Sequence, residues 1–275
     1  MSIQGNRKEY NHSYSGVLAH RCPEMASDIL LWLGCVYRKN LVSEKESILS
    51  VLKASGVNFN TLDDEGCCYF PIFLAGNVDM AKERADELEK IISNYKLVVT
   101  PCPACYRMFK QILPEELGIN LKPEVLHTSQ FFLKLAKEGK LSFRNEVNMK
   151  IMYHDPCELG RHSSIYDEPR ELISLVPGIN VFKPRYEKEK AVCCGGGGLL
   201  PAFSPSLAAK VVTRKLEEED RVPEDLDAIV TGCPQCISNI RAGARYLKSK
   251  KLRDIKVINV AQLIEMSVGG DVYGG

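Results

Sequence analysis

The sequence predicts an α/β protein of two tandem, pseudo-symmetric βαβ modules with mostly parallel sheets and cysteines at their carboxyl edges. Three observations predict it. Short apolar runs alternate with stretches of helical period, the pattern of βαβ units. A five-cysteine pattern occurs twice, as C-x31-CC-x33-C-x2-C and C-x35-CC-x38-C-x2-C. The strand-like lead-ins to the last cysteine pair also match, "LVVTPCPAC" against "AIVTGCPQC". Two long copies make a tandem duplication rather than a solenoid. The expected fold is therefore two Rossmann-like modules.

Along the chain, residues 1–29 are polar, lack a signal-peptide core, and read as a tail or linker carrying an unpaired Cys22. "ILLWLG" reads as a buried strand, with Trp32 in the core, and residues 43–53 as a helix. "VNFNTL" suggests another strand. "VDMAKERADELEKIISN" is a helix because Met80, Ala81, Ala85, Leu88, Ile91 and Ile92 form one apolar stripe. "KLVVT" is a strand leading into CPAC and the helical "YRMFKQIL". His127, between "EVL" and "TSQFFLKLAKEG", reads as a loop residue near a helix cap. The polar "KEGKLSFRNEVN", broken by Gly139, places the join between Lys137 and Asn148. The modules are then residues 30–143 and 144–268, with 269–275 a flexible tail. In the second, "KIMYH" and "DAIVT" read as strands, and "SLAAKVVTRKLEEED" and "QCISNIRAGARYLK" as helices. "LEEEDR" at 216–221 reads as a solvated helix face.

Composition narrows the function. Lys plus Arg is 36 and Asp plus Glu 35, a net charge of +1 that gives no footprint for nucleic acid. Apolar runs are too short to span a bilayer, so a cytoplasmic protein is expected, peripheral to a membrane only through a partner. In a reducing compartment, eleven cysteines point to metal or redox chemistry rather than a disulfide framework.

Setting Cys22 aside leaves Cys35, Cys67, Cys68, Cys102 and Cys105 in one set. Cys157, Cys193, Cys194, Cys233 and Cys236 make the other. Each cysteine or pair except the last of each set follows a strand-like run. Loops after parallel strands gather at the carboxyl edge of the sheet, facing helix N-termini that favour negative charge. In "AVCCGGGG", Gly195 and Gly196 begin a run of bare backbone that can approach a bulky inorganic ligand and offer it N–H donors. Adjacent thiols suit two metal atoms of one cluster. A structural zinc takes four ligands, and five leave one surplus, yet zinc at one site stays open. So do a vicinal disulfide and plain burial of the thiols.

At these residues, above all "YHDPCELGRHSSIYDEPRELI" and "AVCCGGGG", the chain resembles the cysteine-rich (CCG) region of heterodisulfide reductase, present in its B-type polypeptide and in the C-terminal part of its D-type polypeptide. Similar modules occur in iron–sulfur subunits of glycolate, lactate, glycerol-3-phosphate and succinate dehydrogenases. The resemblance implies that each five-cysteine set holds one non-cubane four-iron, four-sulfur (4Fe–4S) cluster. It also implies that a small-molecule disulfide is split between the two clusters. The first module departs from the pattern, with Tyr69 where glycine follows the cysteine pair.

Disulfide reduction consumes two protons, and His154, Arg161 and His162 flank Cys157 as candidate proton or substrate-handling residues. The bland alternatives are a His154 hydrogen-bonded to backbone, an Asp155 capping the turn before Pro156, and an Arg161 paired with a surface acid. The sequence has no ferredoxin-type C-x2-C-x2-C-x3-C run, haem motif or dinucleotide fingerprint. Electrons are therefore expected from a ferredoxin-type iron–sulfur subunit, similar to the C-type polypeptide of heterodisulfide reductase, or from a flavoprotein. Three roles follow: a disulfide reductase component, a relay from a flavin dehydrogenase toward a quinone, or a zinc-stabilised module without redox activity.

Overall fold

The computed structural model describes residues 27–249 and 255–268. The tail with Cys22 falls outside the described residues, apart from 27–29, as does the segment 269–275. Strands β1 (Ile29–Leu31), β2 (Leu97–Thr100) and β3 (Glu124–His127) form a parallel sheet in the order β1-β2-β3. Strands β4 (Met149–Tyr153), β5 (Ile179–Phe182), β6 (Ala228–Thr231) and β7 (Lys256–Asn259) form a second, in the order β5-β4-β6-β7. The inner strands β2 and β6 are covered on both faces, which is why LVVT and AIVT are continuous apolar runs without alternation.

"VNFNTL" is not a strand. It touches the sheet at one bridge, where Leu31 N–H donates to the Asn60 carbonyl at 2.8 Å and Asn60 N–H to the Ile29 carbonyl at 2.8 Å. This is the edge that β5 occupies in the second module. Val57 and Phe59 pack on the core and give the segment its alternation, but the backbone pairs only at Asn60.

"LEEEDR" is also not a solvated face throughout. Glu217 and Glu218 are exposed, but Leu216 and Asp220 are buried, and Asp220 pairs with the equally buried Lys215. The helix Pro205–Arg214 runs on into a π-helical turn, Lys215–Glu219, that turns this pair inward. His127 ends β3 and caps the next helix from a buried position, rather than lying in a loop. Trp32 is core, edge-on to Phe109 with centroids 5.2 Å apart.

The two halves exchange their last helices. Thr128–Lys137, which follows β3, packs on Asp167–Ser174 of the second half, and Val260–Val268, which follows β7, packs on Val42–Ala54 of the first. Leu31, Phe132, Ile229 and Leu263 consequently belong to one continuous core. Each such side chain contributes about 1.5–3 kcal/mol when buried. The cysteine loops that leave the carboxyl ends of the two sheets are thereby held against each other. Among the described residues, no helix is long and apolar enough to cross a membrane.

Candidate functional site

Each cysteine set is assembled by three segments in the same way. Cys35 opens a short helix after β1, and Cys102 caps the helix Pro103–Arg107 that contains Cys105. Cys67 and Cys68 lie on an irregular loop. Sulfur contacts run Cys35–Cys67–Cys68–Cys105–Cys102, with Cys68 and Cys105 Sγ 3.3 Å apart. In the second half they run Cys157–Cys193–Cys194–Cys236–Cys233, with Cys194 and Cys236 Sγ 3.2 Å apart. The order is the same, and the ten thiols are free. A disulfide would need about 2.05 Å.

Backbone donors meet the sulfurs at equivalent points. Tyr69 N–H donates to Cys67 Sγ and Gly195 N–H to Cys193 Sγ, both at 3.4 Å, and Gly196 N–H donates to Cys194 Sγ at 3.3 Å. This geometry needs a left-handed residue after the pair. Gly195 adopts φ 72° at little cost, whereas Tyr69 adopts φ 61°, at a strain of about 1–2 kcal/mol. The missing glycine of the first module therefore changes the residue and keeps the turn. Gly196 is glycine for a different reason: a Cβ there would lie 2.4 Å from the Gln235 carbonyl oxygen.

Side chains with no cysteine of their own brace these loops. The buried Glu65 carboxylate accepts Leu33 N–H at 2.7 Å and Gly34 N–H at 2.6 Å, holding the loop before Cys35, and burial raises its pKa to about 7. Arg84 donates to the carbonyls of Cys67 and Glu65 at 3.2 and 3.1 Å. Asp155 does not cap the turn at Pro156. It takes both Arg170 terminal nitrogens at 2.7 Å and Lys188 N–H at 2.9 Å. These braces escape sequence reading because their partners lie 15 to 33 residues away.

Charge shows what the sets are suited to hold. Cys67 and Cys193 are pushed far below the ordinary thiol pKa by hydrogen bonds from the sulfurs on either side. Cys35, Cys105, Cys157 and Cys236 are pushed well above it by the neighbouring sulfurs and then by burial. Protein alone thus does not favour five thiolates in one place, and a ligand carrying several positive metal centres would. An all-sulfur set of five, one more than a tetrahedral ion uses, fits a polynuclear iron–sulfur centre.

The two sets open on one cavity of about 230 Å³, lined by Cys102 of the first and Cys157, Cys194, Cys233 and Cys236 of the second. Its walls are apolar: Phe70, Pro71 and Leu74 on one side, Leu199, Pro201 and Ala202 on the other. The charged lining residue is Glu158, and Arg107 from the first half pairs with it at 2.8 Å.

Of the three flanking candidates, only His154 lies among the cysteines. A ring nitrogen and the sulfurs of Cys194 and Cys236 lie within 4.8 Å of one another. His154 N–H extends β4 to the Val230 carbonyl, but neither ring nitrogen has a hydrogen-bond partner. Burial, then the charge of Lys215, holds its pKa well below the usual histidine value, so the imidazole is neutral. Arg161 and His162 are exposed on the following turn, outside the cavity lining.

The model of the cysteine-rich domain family named CCG matches residues 29–110 and 151–241, and each stretch encloses one five-cysteine set. The chain belongs to the CCG family. It is 32% identical over 254 residues to the D-type polypeptide of the dihydromethanophenazine:CoB–CoM heterodisulfide reductase of Methanosarcina mazei, covering 90% of this chain and 60% of that protein. It is 26% identical to the B-type polypeptide of the fumarate reductase (CoM/CoB) of Methanothermobacter marburgensis, over 98% of this chain and 52% of the other. It is 29% identical to the EtfAB:quinone oxidoreductase of Syntrophomonas wolfei, over 86% and 34%. The chain therefore spans 60% or less of the length of these CCG relatives, all of them oxidoreductases or their subunits.

Proposed function

We propose that this chain is the iron–sulfur subunit of a heterodisulfide reductase-like complex and reduces a small-molecule disulfide in the cavity between its two cysteine sets. The observation that carries this reading is that sulfurs from both modules line one cavity. Cys35, Cys67, Cys68, Cys102 and Cys105 would hold one non-cubane 4Fe–4S cluster, and Cys157, Cys193, Cys194, Cys233 and Cys236 the other. Bound there, such clusters would supply electrons and iron with affinity for sulfur. The reaction takes a disulfide, two electrons and two protons to two thiols, with the electrons coming from a ferredoxin-type or flavoprotein partner.

The chain's own residues do the rest. Phe70, Leu74 and Leu199 keep water from the reacting sulfurs. Neutral His154 carries one ring N–H beside Cys194 and Cys236, available to a sulfur at that site. Arg161 and His162 are exposed on the turn after Cys157 and lie outside the cavity lining, so neither is placed on the reacting sulfurs. Among the described residues that line the cavity the charged one is Glu158, and Arg107 is already paired with it, so this lining offers an anionic substrate no free cation.

A relay role is the second reading, favoured by the quinone oxidoreductase among the relatives. It uses the same cysteines and passes electrons from a flavoprotein toward a quinone without breaking a bond. Turnover by the anaerobically prepared, iron-loaded chain, with a reduced low-potential dye as donor, separates the two. We expect disulfide consumption, with kcat/KM about tenfold higher for uncharged than for sulfonate- or carboxylate-bearing disulfides, equivalent to about 1.4 kcal/mol. Transfer to a quinone with no disulfide consumed would favour the relay.

A further inference from the structure

The turns that deliver Cys102 and Cys233 belong to different modules, yet one side chain touches both. His127 Nε2 lies 3.2 Å from the Pro101 carbonyl oxygen and 3.1 Å from that of Gly232. Its Nδ1 accepts Ser129 N–H at 3.2 Å. The proton of a neutral ring therefore sits on Nε2, shared between the two carbonyls. The ring is 1% exposed, and burial lowers its pKa to about 4, so it is neutral at neutral pH. Gly232 admits the ring: a Cβ there would lie 3.1 Å from His127 Cε1.

The duplicated module separates this contact from ordinary capping. Asn259 holds the equivalent place, opposite Thr231 as His127 is opposite Thr100. Each residue's N–H donates to a glutamine three positions on, Gln130 at 3.1 Å and Gln262 at 2.9 Å. Each side chain accepts an N–H two positions on, from Ser129 and from Ala261. Capping is common to both. What differs is the reach across the module boundary. Asn259 Nδ2 donates to the Tyr37 hydroxyl, two residues beyond Cys35, while His127 reaches the Gly232 carbonyl.

We propose that His127 is a positioning residue whose shared Nε2–H ties the Cys102 turn to the Cys233 turn and so fixes the spacing of the two cysteine sets across the cavity. The tie is a property of the polypeptide, and only its effect on bound clusters rests on the function proposed above.

Two substitutions divide the side chain's roles. Asparagine reproduces Nδ1 as an acceptor, as Asn259 does, and loses the bridge. Glutamine extends a nitrogen donor to the Nε2 position and loses the cap acceptor. The readout is NMR of the full chain, with carbonyl-labelled proline or glycine paired with nitrogen-labelled cysteine. This labelling reduces the spectrum to the few Pro–Cys and Gly–Cys peptide units, among which loss of a signal on substituting Cys102 or Cys233 assigns Pro101–Cys102 and Gly232–Cys233. In His127→Asn, both carbonyl carbons should move upfield together while resistance to urea is retained. In His127→Gln, both should return toward the native shifts, with a lower urea midpoint. In iron-loaded protein, the magnetic interaction between the two centres should keep one value in His127→Gln and spread into a distribution in His127→Asn. The proposal is overturned if either carbonyl stays unmoved in His127→Asn, or if His127→Gln shifts both as far as His127→Asn does. The carbonyl readout needs no cluster, so it decides the tie even where the functional reading fails.

Discussion

Lys215→Met is expected to destabilise the protein by about 3–5 kcal/mol, the cost of leaving a buried charge without its partner. Lys215 and Asp220 are 2% and 1% exposed and pair with each other. The ammonium donates to Asp220 Oδ2, Oδ1 has no hydrogen-bond partner, and burial already raises the pKa of this carboxyl. With the ammonium gone, the folded state favours the protonated acid further above its unfolded value. Protonation then relieves the folded state, so the loss should shrink as pH falls toward the ordinary carboxylate range and be greatest at neutral pH and above. Urea denaturation should show a lower midpoint with an unchanged slope. The double variant Lys215→Met/Asp220→Leu should recover most of the loss, because well-packed apolar replacements of a buried pair are often neutral or stabilising. A single variant within about 1 kcal/mol of the native protein would show that water reaches the pair.

Cys194→Ala is expected to remove about half of the bound iron, and Cys68→Ala the other half, because metal affinity depends on the complete ligand set. These two residues occupy the same place in the two sulfur chains, touching the preceding cysteine of the pair and the second cysteine of the CxxC motif. Both are nearly fully buried, so no solvent ligand substitutes easily. The sets share no cysteine, and each variant should leave the other site's visible and magnetic spectrum intact. Iron analysis with electron paramagnetic resonance checks both halves of the expectation. Full iron retention in either variant would remove that cysteine from the ligand set.

The duplication was legible because it rests on unambiguous residues: cysteines at repeated spacing and the apolar runs that became β2 and β6. "VNFNTL" misled because alternation reports a half-buried face and says nothing about whether the backbone finds a partner beyond one bridge. "LEEEDR" misled because a charge run describes composition, whereas the π-helical turn rotates Asp220 inward onto Lys215. His127 could be placed near a helix cap from its flanks, but its second role depends on Gly232, 105 residues away. Tyr69 signalled a departure from the CCG pattern. Only backbone dihedrals show that it carries the same left-handed turn as Gly195.

The central claim is that both five-cysteine sets grip iron and inorganic sulfide around one cavity. The most direct test is iron, acid-labile sulfide and zinc analysis of the chain purified without oxygen. The account predicts a brown protein with about eight irons and a matching amount of sulfide per chain. A colourless protein carrying zinc and no sulfide would contradict it.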